Sequence, residues 1–162
     1  MSRTPWPATR VLVVGTLVVG TLDALDAILF FGLRSGAKPG RIFQGIAAGL
    51  LGSSSMQGGA PTVALGVALH YFVAFGIVTT YFIASAAFRT LAARPLLWGP
   101  LYGVAVYFFM NRIVIPLSAI GAAPRPVWPV LLNGLLIHIF GIGIPAALAV
   151  ARGVRRSSTR FG

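Results

Sequence analysis

Residues 11–33, 63–88, 96–120 and 127–151 are four long apolar runs, and each reaches the roughly 20 residues that a helix needs to cross a bilayer core about 30 Å thick. A single span in lipid can satisfy its backbone N–H and C=O groups only by forming a helix, so all four runs are predicted as transmembrane helices. Composition agrees, because 57% of residues are hydrophobic and 9% are charged, far from the usage of soluble domains. The expected fold class is therefore an all-α integral membrane protein, with residues 1–162 forming one helical membrane domain. Proline punctuation supports the boundaries: Pro61 precedes the second run, Pro95 opens the third, and Pro124, Pro126 and Pro129 surround the start of the fourth. The first run, with Arg3 and Arg10 before it, is too long for a signal peptide and lacks a small-residue cleavage pattern, so it reads as an uncleaved span.

The formal net charge of +11 does not point to nucleic acid, because the cations fall mostly between the apolar runs instead of on one face. They act as topology signals. With four spans, Arg3, Arg10, Arg89, Arg94, Arg152, Arg155, Arg156 and Arg160 lie on one side, and Arg34, Lys38, Arg41 and Arg125 on the other. The positive-inside rule then places both termini in the cytoplasm, and the basic tail 152–162 against anionic lipid headgroups.

Between the first two spans, residues 41–52 form a short amphipathic segment. Ile42, Phe43, Ile46, Ala47, Leu50 and Leu51 share its apolar face, opposite Gln44, Gly45, Ala48, Gly49 and Gly52. Eleven helical residues rise only about 16 Å, and the Gly/Ser-rich run 52–59 blocks any extension. A re-entrant or interfacial helix is expected there, with a fifth span as the alternative.

The only acidic side chains, Asp23 and Asp26, both lie in the first span. Counting residues from the middle of each span at about 1.5 Å apiece puts Asp23 and His138 within about 2 Å of the midplane. Asp26 and Arg112 fall about 6 Å to its outer side, His70 about 8 Å and Asn133 about 9 Å. Asn111 sits beside Arg112. Unpaired charge at such depth costs several kcal/mol, so Asp23, Asp26, His70, Asn111, Arg112, Asn133 and His138 are expected to form one buried polar cluster. The expected pairs are Asp26 with Arg112, and Asp23 with His138 or His70. Stripes of small residues accompany these groups: Thr16, Gly20 and Ala27 with the aspartates, Gly66 and Ala74 around His70, and Gly134 and Gly141 around His138. Such stripes allow helices to approach closely in lipid. Gly99 with Gly103, and Gly45 with Gly49, read mainly as intramolecular packing motifs, and secondarily as contacts in a homo-oligomer.

Pro116 and Pro145 cannot donate to the carbonyls of Arg112 and Gly141, so the third and fourth spans should kink beside polar residues. With no cysteine and no glutamate, thiolate chemistry and the common carboxylate metal motifs are excluded. No phosphate loop or Gly-x-Ser-x-Gly occurs, and neither a metal, a cofactor nor a catalytic residue is expected.

The order His70, Trp98-Gly99-x-x-x-Gly103, Met110-Asn111-Arg112, Pro116-Leu117-Ser118, Pro124-x-Pro126 and His138 resembles the YagU-like group of uncharacterised bacterial inner-membrane proteins, mainly over residues 66–138. The resemblance implies a small multi-span protein of the bacterial plasma membrane. It supplies no reaction, and this chain lacks the Glu that precedes the fourth-span His in better-known members. Function is read as a proton- or ion-responsive or transport-related site at the polar cluster. The alternative is a non-catalytic structural or interaction subunit of a membrane complex.

Overall fold

The computed structural model describes residues 5–121 and 126–154. Arg3, Pro124, Arg125 and most of the basic tail, including Arg155, Arg156 and Arg160, lie outside the described residues. Six helices follow in order: α1 (Ala8–Ser35), α2 (Pro39–Leu51), α3 (Gly59–Ala87), α4 (Arg89–Ala93), α5 (Pro95–Leu117) and α6 (Trp128–Gly153). Four of these, α1, α3, α5 and α6, are long and apolar enough to cross a membrane. They coincide with the four apolar runs, each end moving by a few residues. No strand occurs among the described residues.

α1 packs against α3 and α6, and α5 packs against α6. The pairs run antiparallel, so residue numbers rise on one helix as they fall on its neighbour. Val19, Ala74, Val78, Ile142 and Ala146 fill the centre, and Val11, Tyr81, Ala147 and Val150 continue the core towards the termini. Large apolar side chains such as Leu29, Phe72, Ile83, Leu101 and Phe140 point outward instead. This small-inside, large-outside pattern suits lipid, where close backbone approach, not removal of apolar surface from solvent, holds helices together.

Glycines mark those approaches. A Cβ on Gly103 would overlap the His138 carbonyl, and one on Gly99 would crowd the Gly143–Ile144 backbone. The expected Gly99/Gly103 packing motif thus works within the chain, seating α5 on α6. Both proline sites take a form that the sequence did not specify: the helix widens to a π-turn before each proline, at Met110–Val114 in α5 and His138–Gly143 in α6. Inserting a residue into the turn accommodates a ring that cannot donate.

The chain ends meet at one end of the bundle. Trp6 N–H donates to the Arg152 carbonyl at 3.0 Å, and the Trp6 ring lies 4.6 Å from the Arg10 guanidinium and 5.2 Å from that of Arg152. At the opposite end, α2 and the following 3-10 helix (Gly52–Gln57) lie against α3, and Ala119 N–H donates to the Gly49 carbonyl at 2.9 Å. The short helix forms where it is expected. Gln44, Ala47 and Ala48 are buried, whereas Leu50 and Leu51 of the apolar set are exposed. The reason is contact distance: the Phe43 carbonyl reaches the α3 backbone at Gly66, where no Cβ intervenes. Only small or hydrogen-bonding residues fit such a crossing. Gln44 Nε2 donates to Thr62 Oγ1 at 3.3 Å and to the Gly59 carbonyl at 3.4 Å, while Arg41 donates to the Met56 carbonyl at 2.7 Å. The short α4 between the second and third long helices is an addition to the expected elements.

A candidate polar site between three helices

The antiparallel register brings most of the expected polar residues together just beyond the apolar core. α1 contributes Asp23 and Asp26, three residues apart and so on one helix face. α3 contributes His70, with Nδ1 at 3.9 Å from Asp23 Oδ2. α6 contributes His138 and Asn133. Asn133 Nδ2 donates to Asp26 Oδ2 at 2.7 Å.

Each imidazole has one committed nitrogen. His70 Nε2 lies 2.7 Å from the Gly20 carbonyl, and His138 Nδ1 lies 2.8 Å from the Gly134 carbonyl. A carbonyl can only accept, so these nitrogens carry hydrogen and donate. In the neutral ring the remaining nitrogen is an unprotonated acceptor. For His70 that nitrogen is Nδ1, on the Asp23 side. Protonating it would give an imidazolium 3.9 Å from the Asp23 carboxylate.

Local packing explains why the rings sit there. His70 is almost fully buried, edge-on to Tyr71 at 5.4 Å and to Phe43 at 6.2 Å between centroids. Tyr71 lies over Gly20, where a Cβ would meet its ring, and its hydroxyl is 3.0 Å from Thr21 Oγ1. The same glycine thus admits the tyrosine and exposes the carbonyl that holds His70. His138 is edge-on to Tyr107 of α5 at 5.3 Å, and Tyr107 rests in turn over Gly134. Tyr71 and Tyr107 are site residues that the sequence reading omitted. Tyr71 adjoins His70 in sequence, but nothing local marks Tyr107 as reaching another helix.

Two expected members stand apart. Arg112 does not meet Asp26: among the described residues no carboxylate lies within 4.0 Å of it, and its side chain is exposed on α5. The arrangement of helices is responsible, because α5 packs on α6 and Asp26 faces α6 from α1. A matching depth supplied no matching direction. Asn111 is spent locally, donating to the Tyr107 carbonyl at 2.9 Å. Among the described residues, no group of three His, Cys, Asp or Glu converges to hold a metal ion.

These features define a class: a helical chain with four helices of membrane-spanning length and a half-buried Asp/His/Asn cluster between three of them. Comparison with protein-family models, with curated proteins and with solved structures found no match.

Proposed function

We propose that this chain is a small multi-span protein of the bacterial plasma membrane in which Asp23, His70 and His138 form a proton-responsive, transport-related site. The observation that carries this reading is the pairing of Asp23 with the uncommitted nitrogen of His70, each on a different helix. An ionisable pair between helices of spanning length is a functional-site hypothesis by default, since a carboxylate in lipid is otherwise selected against. Imidazole is the side chain whose charge changes near neutral pH. The same reading has both termini and the basic tail cytoplasmic, close to anionic headgroups. It has α2 as a re-entrant or interfacial helix, and the YagU-like resemblance agrees with that membrane.

The test is proton flux into liposomes carrying the purified chain, measured with a pH-sensitive dye under an imposed potential. Asp23→Asn and His70→Gln are expected to abolish the flux or its dependence on pH, while both proteins still fold. Unchanged flux and pH response in both variants would sink the proposal.

A second reading rests on Asp26. Its short hydrogen bond to Asn133 is what a register lock between α1 and α6 requires, and it fits a structural or interaction subunit, in a homo-oligomer or a larger complex. Under that reading the aspartate variants lose stability or assembly and never alter flux.

A further inference from the structure

Two cations from opposite ends of the chain share one indole. Arg10 lies in the first turn of α1 and Arg152 in the last turn of α6, and both guanidiniums contact the Trp6 ring, at 4.6 and 5.2 Å from its centroid. The arrangement is rooted in the bundle. Trp6 packs on the core residues Val11, Tyr81, Ala147 and Val150, and its backbone N–H donates to the Arg152 carbonyl at 3.0 Å.

Two like charges on one ring call for a counter-charge, and no acidic side chain of this protein supplies it. Arg10 and Arg152 are exposed, and among the described residues neither has a carboxylate within 4.0 Å. The only acids in the sequence, Asp23 and Asp26, begin thirteen residues further along α1, about 20 Å away, and are engaged with His70 and Asn133. A second copy brings the same two acids and no others. Contact with an indole face leaves the N–H edge of a guanidinium available for another partner.

Depth names that partner. The two arginines stand at the ends of helices of spanning length, and Trp6 packs on the same core cluster as Trp98 and Tyr102, amphipathic aromatics of the kind that mark headgroup level. Arg89 and Arg94, both exposed, flank Leu91 of that cluster and add positive charge at this end. The anion abundant at such a level is the phosphate of a lipid headgroup, whose oxygens a guanidinium fork matches.

We propose that Arg10 and Arg152, both mounted on Trp6, form a binding site for the phosphate of an anionic phospholipid. The site rests on the reading that this end of the bundle lies among anionic headgroups, and it is independent of the Asp23/His70 pair. A topology signal requires only positive charge on one side of the membrane, whereas a guanidinium pair held by one ring is a defined receptor.

Native mass spectrometry of the full chain in mild detergent, counting phosphatidylglycerol and phosphatidylcholine retained, tests this. Wild type should prefer phosphatidylglycerol. Arg10→Gln and Arg152→Gln, at exposed positions, should each weaken its retention about tenfold, the scale of lost charge-assisted hydrogen bonds. Trp6→Leu should weaken it comparably with net charge unchanged, which general attraction between a basic chain and an anionic lipid would not do. Arg34→Gln, at the opposite end of α1, should behave as wild type. Equal retention in Arg10→Gln, Arg152→Gln and Arg34→Gln would overturn the proposal. A chain with Arg155, Arg156 and Arg160 replaced by Gln tests the broader reading separately: lipid lost there but kept in Arg10→Gln and Arg152→Gln would leave the tail among headgroups and overturn this site alone. Calorimetric titration with inorganic phosphate distinguishes the source. Weak binding is expected, and tight binding that both arginine variants abolish while lipid retention stays unchanged would overturn the lipid as occupant. Should Trp6→Leu fail to fold, the two arginine variants decide.

Discussion

Replacing Gly66 by alanine should release α2 from the bundle. The built Cβ falls inside contact distance of the Phe43 carbonyl oxygen and 3.1 Å from Phe43 Cα, so backbone faces backbone and no side-chain rotation can relieve it. Restoring an ordinary separation of about 3.4 Å moves α2 away by more than an ångström. The two Gln44 hydrogen bonds already span 3.3 and 3.4 Å, and such a movement breaks both. Overpacking of this kind costs about 1–3 kcal/mol, and each hydrogen bond lost within a helical bundle in lipid about 0.6. Higher helix propensity of alanine returns up to about 1 kcal/mol. The net, about 2 kcal/mol, corresponds to a roughly 30-fold increase in opening of α2, read as faster amide hydrogen exchange over residues 39–51. Gly45→Ala in α2 is the matched control, since its Cβ meets only the flexible tip of Met56 at 3.8 Å, and it should slow exchange slightly or leave it unchanged. Identical exchange in Gly66→Ala and wild type would refute the idea that backbone contact holds α2.

Three further outcomes are expected. Gly103→Ala, whose Cβ overlaps the His138 carbonyl, should lower the melting temperature in detergent and displace His138, whereas Gly76→Ala should melt like wild type. In a double-mutant cycle, Asp26→Ala and Asn133→Ala should each cost stability and show a favourable coupling of about 0.6–1.7 kcal/mol; additive effects would mean that the 2.7 Å bond contributes nothing. Trp6→Ala removes both guanidinium contacts and should raise protease nicking at the chain ends, with a stability loss of about 1 kcal/mol, leaving the Asp23/His70 site untouched.

The elements were legible because length and hydropathy sufficient to cross a membrane are properties of each helix separately, with no need to know its neighbours. Depth was legible for the same reason: rise per residue is fixed, so Asp26 and Asn133, or Asp23 and His138, could be placed at similar levels by counting. Azimuth was not. Arg112 has the right depth to meet Asp26 and the wrong helix, and only the packing order of α1, α6 and α5 reveals it. In the short helix apolarity does not mark the buried face: Leu50 and Leu51 are exposed, while the small Ala47 and Ala48 and the hydrogen-bonded Gln44 are buried where backbones approach closely.

By itself the sequence determined four spanning-length helices, their order, the short helix between the first two, and the concentration of ionisable groups at one level of the bundle. These are properties of a chain read one segment at a time. Tertiary structure alone decided that Asp23 meets His70 beside the Gly20 carbonyl, that Asp26 meets Asn133, and that Arg112 turns outward. Those outcomes depend on the rotation and partner of each helix, which glycine contacts such as Gly66 on Phe43 and Gly103 on His138 set by letting backbones touch. The apolar helix surfaces are nearly interchangeable in lipid, so no periodicity in the sequence records which pairs do so.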